Sequence, residues 1–400
     1  MPSKFGENIK VSIFGRSHEQ YVGVTVEGLP AGEVIDLNKL YEFMRRRSPG
    51  KEGTSQRQEK DIPVIQSGIT NGLTDGKPLT AIIYNEDVKS EDYKELACIP
   101  RPGHADYGAY IKFGGKEDMR GGGKFSGRMT APLCAAGGIA LQILSSRGIE
   151  IHAKLETDYE PQDGDSVGGI VLCEIFGLPV GLGDALFDGL DGKIASAVFA
   201  IPAVKGIEFG AGFKAAAMSG SENNDEYIIS DGKVTCSSNN AGGILGGMSN
   251  GMPVVFRTAF KPTPSISKEQ RSVNLCTMEE TTIKVKGRHD PCVAIRAVPV
   301  VEAAAAIAVL DCMPGSDRSN IRNKIDIIDR EIAVLLKERF ALTDDIGRYK
   351  KKNNLKVKDI SREYEVIDNV ASAAGEGLET EISKIYADIF DLSIKRQEKV

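Results

Sequence analysis

Cys312-Met313-Pro314-Gly315-Ser316 is the stretch on which the fold turns. Pro314 and Gly315 break regular structure, and Ser316, Asp317 or Ser319 can cap the start of a helix. Upstream lie glycine-rich turns and short β-branched runs such as residues 22–26 and 81–84. Downstream no proline occurs, and helical periodicity runs to the end. The expected division is a first domain over residues 1–312, a linker over 313–318 and a second domain over 319–400. The expected fold class is α+β, with an all-α C-terminal part.

Working outward toward the C-terminus, Ile321, Ile325, Ile328, Ile332, Leu335, Leu342, Ile346 and Tyr349 follow 3-4 spacing. That spacing predicts a helix of roughly 30 residues, about 45 Å long. A second helix is expected over 361–374 with Tyr364, Ile367 and Val370 facing inward. A third begins near Glu379 with Ile382, Ile385, Ile389 and Phe390 buried. The long helix outruns its partners, so association through it is expected. Polar residues interrupt the apolar seams: Arg339 stands where an apolar residue belongs, Lys350 follows at nearly the same angle, and Ser393 and Gln397 continue the face of the third helix. Arg339 either snorkels or pairs with an acid such as Asp344, or it faces a ligand.

Composition narrows the field. The 400 residues are 41% hydrophobic and 26% charged, with a net charge of -6, which argues against a general nucleic-acid binder. The N-terminal ten residues carry charges and no apolar core, so no signal peptide is expected. The apolar stretches 131–144 and 298–310 are short for a bilayer, and the second contains Glu302; both read as buried helices. Seven scattered cysteines with no CxxC pair indicate neither a zinc site nor a disulfide framework, in keeping with a reducing cytoplasm.

Working outward toward the N-terminus, three of four histidines sit in polar, glycine-flanked contexts: Gly15-Arg16-Ser17-His18, Arg101-Pro102-Gly103-His104-Ala105-Asp106 and Gly287-Arg288-His289-Asp290. His152 reads as structural. Around them lie cationic clusters, Arg45-Arg46-Arg47-Ser48-Pro49-Gly50-Lys51 before Gln56-Arg57-Gln58-Glu59, and Arg120-Gly121-Gly122-Gly123-Lys124-Phe125-Ser126-Gly127-Arg128. Such clusters in an acidic chain suit a phosphorylated or carboxylated ligand. No GxGxxG or GxxxxGK[ST] pattern is present.

Together with Ser238-Asn239-Asn240-Ala241-Gly242-Gly243 and Phe260-Lys261-Pro262-Thr263-Pro264-Ser265-Ile266, these motifs make residues 5–312 resemble chorismate synthase. The resemblance implies a β-α-β sandwich, a tetramer and a need for reduced FMN. It implies elimination of phosphate from 5-enolpyruvylshikimate 3-phosphate to give chorismate. Carried over by motif, His18 would protonate the departing phosphate, His104 would stabilise the anionic flavin near N1, and Asp290 with Ser17 would relay the proton at N5. Arg46, Lys51 and Arg57 would hold substrate anions. Lys124, Phe125, Ser126, Glu222, Asn223, Gly246, Lys261, Pro262, Thr263, Pro264, Ser265 and Arg288 fall at flavin-contact positions. Whether NADPH reduces the flavin on this chain or an external reductase does so is left open. Three segments depart from the family pattern, one being the stretch after Arg47, whose different spacing bears on the match of Lys51. The usual Gly-Glu-Ser-His-Gly is Gly15-Arg16-Ser17-His18-Glu19, and the usual Arg-Ser-Ser-Ala-Arg-Glu-Thr is Lys124-Phe125-Ser126-Gly127-Arg128-Met129-Thr130. Glu19 puts a negative charge beside His18.

Residues 319–398 resemble the all-helical chorismate mutases, with Arg322, Arg339, Lys350, Asp359, Arg362, Glu363, Ser393 and Gln397 at matching positions. The resemblance implies rearrangement of chorismate to prephenate, a step that needs only orientation and charge stabilisation. Arg322, Arg339 and Arg362 would bind the two carboxylates through their planar forks. Lys350 and Gln397 would donate to the ether oxygen, Glu363 would hold the ring hydroxyl, and Asp359 and Ser393 would complete the wall. Arg322 and Arg339 are 17 residues apart, about 25 Å along one helix. If both serve one small ligand, Arg322 comes from a second, antiparallel chain, which predicts a shared-site dimer. A competing reading makes the helical part a regulator that binds chorismate or an aromatic product without turnover.

Overall fold

The computed structural model describes residues 3–50, 54, 60–86, 98–157, 160, 163–285, 290–313, 317–375 and 377–399. Two compact units divide the chain, Met1–Gly315 and Ser316–Val400.

The first unit is a sandwich with helices between two antiparallel sheets. One sheet has the strand order Ser3–Phe5, Lys10–Gly15, Tyr21–Glu27, Leu79–Tyr84, Val64–Ser67. The other runs Val204–Phe209, Val254–Phe260, Gly169–Phe176, Glu150–Leu155. Tyr21–Glu27 alternates into the core through Val22, Val24 and Val26, in register with Ile83, Ala81 and Leu79 of its neighbour. Between the sheets, helices Thr130–Ser145 and Val293–Cys312 pack on each other, flanked by Leu37–Arg47 and Leu190–Phe199. The two central helices can approach closely because of Gly137. A Cβ there would lie 2.2 Å from that of Ala303, so any larger residue would force them apart.

Helix Val293–Cys312 is the buried helix expected over 298–310, but longer. At 20 residues it is longer than the apolar stretch in the sequence, and by length and composition it could cross a bilayer. It is instead core: residues 300–311 are all buried. Its two acids each have partners. Glu302 is gripped by both Nη atoms of Arg46, at 2.6 and 2.8 Å, and accepts the Ala153 N–H at 2.8 Å. Asp311 accepts the backbone N–H groups of Glu7, Asn8 and Ile9 at 2.8, 2.7 and 2.8 Å, tying the first loop to the helix end.

The cysteine reading needs correction. Cys98 and Cys276 form a disulfide with 5.8 Å between Cα atoms, across 178 residues of chain. A pair so distant leaves no spacing signature, and so the sequence did not show it. The bond joins residues just before Arg101 to the hairpin of Gln270–Asn274 and Glu279–Ile283, where Leu275 also donates its N–H to the Cys98 carbonyl. His152 sits exposed on strand Glu150–Leu155, 3.9 Å from Glu150.

The second unit is three helices, Asp317–Lys352, Ile360–Ala374 and Glu379–Gln397. The first reaches 36 residues, about 54 Å, longer than the periodicity suggested. Helix Ile360–Ala374 begins on Asp359, whose side chain accepts the Arg362 N–H. Several side chains expected inside lie exposed: Tyr364 and Ile385, and on the long helix Ile328, Leu335, Leu342, Ile346 and Tyr349. The two shorter helices cannot cover the long one, so an apolar face is left open in the single chain.

Candidate active sites

In the first unit a cavity of about 620 Å³ opens beside the helix layer, and its lining is strongly cationic. Arg47, Arg101, Lys124, Arg128, Lys205, Lys261 and Arg296 contribute to it, against Asp290 as the only acid among the described residues of the lining. Six segments distant in sequence supply these groups: the end of helix Leu37–Arg47, the turn 101–106, the glycine-rich turn 120–130, strand Val204–Phe209, residues 261–265, and residues 290–296. Burial and neighbouring Lys205 together lower the proton affinity of Lys261.

The glycine-rich turn sets the geometry. Gly121, Gly122 and Gly123 all have positive φ. A Cβ on Gly121 would lie 2.5 Å from Nε2 of His18 and 2.8 Å from Oγ of Ser17, and one on Gly122 would lie 3.3 Å from Nε2 of His104. Two histidines 86 residues apart thus flank consecutive glycines; His104 lines the cavity, whereas His18 and Ser17 sit beside Gly121, which lines it, without being in the lining themselves. Ser17 is buried and donates its N–H to the Gly123 carbonyl. Glu19 pairs with Arg16 at 3.3 Å, and Arg16 also meets Glu117 at 3.0 Å, so its charge is engaged at the surface. Asp290 accepts from Nη1 of Arg296 at 2.7 Å.

Sequence reasoning missed a buried ionic knot beneath this floor. Asp61, with no exposed side-chain surface, accepts from Nη2 of Arg47 at 2.6 Å and from Nη1 of Arg128. Arg128 also donates to the Asn85 side chain at 2.7 Å and the Tyr84 carbonyl at 3.1 Å, and Arg47 to the Thr130 hydroxyl at 3.2 Å. Burial works to raise the Asp61 carboxyl, but the two guanidinium groups outweigh it and hold it below the usual aspartate range.

Several expected contacts fall elsewhere. Arg46 is not in the cavity lining: its guanidinium faces Glu302, one helical step from Arg47, which does line it. Glu222 and Asn223 lie on the short helix Gly220–Asn223, where Glu222 caps Ser219, and Gly246 is an exposed hairpin turn; none of the three lines the cavity. Lys124, Phe125, Ser126, Lys261, Thr263, Pro264 and Ser265 do line it, and Pro262 sits between two of them. Lys51, Arg57 and Arg288 lie outside the described residues.

In the helical unit, Arg339 donates from Nη1 to the buried Ser393 hydroxyl at 2.9 Å, with its guanidinium carbon 5.4 Å from the Phe390 ring centre. Asp344 is taken by Arg396 at 3.0 Å, which disposes of the Arg339–Asp344 alternative. Lys350 donates to the Val357 carbonyl at 2.6 Å. Gln397 packs against Gly347, where a Cβ would lie 3.1 Å from its Cα, and its buried Oε1 has no partner among the described residues. Such an orphaned oxygen can accept from a ligand, whereas the donor role expected of Gln397 would fall to its Nε2. Glu363 is half-buried, whereas Arg362 is exposed and pairs with Glu365 at 2.7 Å. Arg322 is described only as part of its helix.

Fold and lining together define an enzyme of small anions joined to a helical unit with a part-buried cation–hydroxyl pair. Comparison with known proteins makes this particular. The model of the family described as chorismate synthase matches residues 9–158 and 158–313, and that of chorismate mutase type II matches 321–398. The chorismate synthase of Chitinophaga pinensis is 47% identical over 329 residues, covering 80% of this chain and 98% of its own. That of Archaeoglobus fulgidus is 44% identical, covering 77% and 96%. A crystal structure of a chorismate synthase shares the fold, with a TM-score of 0.60 at 24% identity, covering 82% of this chain and 99% of its own. The chain belongs to the chorismate synthase family and carries a chorismate mutase type II domain at its C-terminus. It is a bifunctional enzyme, a lyase and an isomerase, of aromatic amino acid biosynthesis.

Proposed function

We propose that residues 1–312 eliminate phosphate from 5-enolpyruvylshikimate 3-phosphate, using reduced FMN, and that residues 319–400 rearrange the chorismate so made to prephenate. The observation that carries the first part is the convergence of His18, Ser17 and His104 on one glycine-rich turn above a cationic cavity. The residues present fit an anionic, ring-bearing cofactor: the lining offers cations for its charge and the Phe125 ring and Pro264 for its flat face. Lys124, Phe125, Ser126, Lys261 and residues 263–265 would hold it. When bound, reduced flavin supplies the electron that weakens the C–O bond. The protein's own work is binding and proton handling. Arg47 and Arg128, fixed by Asp61, would hold substrate anions, a place the sequence assigned to Arg46. His18 would give its proton to the departing phosphate, and Asp290 with Ser17 would pass the proton at flavin N5.

In the helical unit Arg339, steadied by Ser393, would hold a carboxylate, while Lys350 and Gln397 would stabilise charge on the ether oxygen. The open apolar face and the helical span between Arg322 and Arg339 support a dimer with shared mutase sites. Further association through the synthase unit and a cytoplasmic setting complete the proposal, with NADPH as a reductant to be tested for the flavin.

Under anaerobic conditions the purified chain with reduced FMN and the phosphorylated substrate should release phosphate, and His18→Ala should slow release by about 100-fold or more. Unimpaired release by that variant would overturn the assignment. NADPH replacing the chemical reductant without added reductase would place flavin reduction on this chain. A monomer by sedimentation at micromolar concentration would sink the shared-site dimer.

A further inference from the structure

The turn carrying His104 is tied together by a carboxylate that the proposed chemistry does not use. Asp106 lies 11% exposed at the start of helix Asp106–Phe113. Its Oδ2 accepts from the Arg101 backbone N–H at 3.0 Å and from Nε of Arg101 at 2.7 Å. Its Oδ1 accepts from Nη2 of Arg101 at 2.9 Å and lies 2.6 Å from Nδ1 of His104. Arg101 reaches onward to the Ser265 hydroxyl at 3.1 Å, which anchors the turn to the opposite cavity wall. Burial works to raise the Asp106 carboxyl, but hydrogen bonds from Arg101 and His104 prevail and hold it well below the usual range.

An ionised carboxylate carries no proton, so a 2.6 Å contact requires the proton to sit on Nδ1 of His104. Nη2 of Arg101 is also 3.0 Å from that nitrogen, but a protonated Nδ1 cannot accept from it; the closeness follows from both groups gripping one oxygen. The ring's other nitrogen, Nε2, lies on the side of Gly122, and His104 is part of the cavity lining. We infer that Asp106, locked by Arg101, is a positioning residue that fixes the tautomer of His104, so that Nε2 is the nitrogen presented to the ligand. The consequence for turnover rests on the reading of His104 as a flavin contact; the tautomer itself does not. Other ionisable groups near the ring are Lys261, which donates to the Gly103 carbonyl, and His18 beyond Gly121.

The test is long-range ¹⁵N–¹H NMR on the full chain, ligand-free and mildly alkaline. With four histidines the spectrum is sparse, and His104→Gln identifies the signal. The wild-type ring should show protonated Nδ1 and bare Nε2. In Asp106→Asn, Arg101 claims the amide oxygen and the NH₂ turns to the ring, so the pattern should invert. Turnover with reduced FMN should fall at saturating substrate, with KM for the phosphorylated substrate within about twofold because Asp106 does not line the cavity. A wild-type ring protonated on Nε2 would overturn the inference, and so would an unchanged pattern in a folded Asp106→Asn. Should Asp106→Asn not fold, the wild-type spectrum alone decides. Normal phosphate release by His104→Gln would remove His104 from the reaction while leaving the tautomer assignment standing.

Discussion

Asp61→Asn tests how the synthase cavity keeps its cations. Asp61 has no exposed side-chain surface, and the side chains of Arg47 and Arg128 are 2% and 4% exposed. The substitution keeps the shape but removes the one negative charge shared by two buried guanidinium groups. Breaking a buried pair by deleting one partner costs about 3–5 kcal/mol. Arg128 retains Asn85 and the Tyr84 carbonyl, and Arg47 retains Thr130, so the lower end, about 3 kcal/mol, is expected at pH 7. The sign with pH follows from the lowered carboxyl: its contribution is full above the usual aspartate range and is lost as pH falls through the folded-state value. The gap between wild type and variant should therefore shrink as pH drops below about 4. Amide exchange in helix Thr130–Ser145 reports the opening free energy of this unit without interference from the other. A deficit under about 0.5 kcal/mol at pH 7, or one that persists undiminished in acid, would refute the reasoning.

Other outcomes are equally open to measurement. Gly121→Ala places a Cβ against His18 and Ser17 in a left-handed conformation, so phosphate release should fall on the order of 100-fold while prephenate formation from added chorismate is spared. Ser393→Ala removes the acceptor that steadies Arg339, and mutase kcat/KM should drop roughly tenfold with the synthase unaffected. Denatured, unreduced protein should titrate five thiols and the reduced protein seven; seven without reductant would rule out the Cys98–Cys276 bond.

What the sequence disclosed follows from how local each signal is. The three C-terminal helices came from 3.6-residue periodicity, and the start of the first from the break at Pro314-Gly315, because those features act within a turn or two of chain. Histidines flanked by glycine were visible as candidates, and the glycines that let them converge were visible too. Asp61 was not: its partners stand 14 and 67 residues away, and a lone aspartate after Glu59-Lys60 reads as solvated surface. The choice between Arg46 and Arg47 depends on which of two adjacent helix positions faces Glu302, and a run of three arginines cannot reveal that. Glu222, Asn223 and Gly246 match flavin-contact positions yet lie away from this chain's cavity, a matter of tertiary placement that motif matching does not address. Periodicity likewise marked Ile385 and Tyr364 as apolar-face residues but could not say whether this chain covers that face.

The central claim is that one chain holds two separate anion sites acting in series. Holoenzyme with reduced FMN, given only the phosphorylated substrate, should yield one prephenate for each phosphate released. Arg339→Ala should release phosphate at the wild-type rate and accumulate chorismate instead. Chorismate building up in the wild type, or phosphate release failing together with prephenate in the variant, would contradict the account.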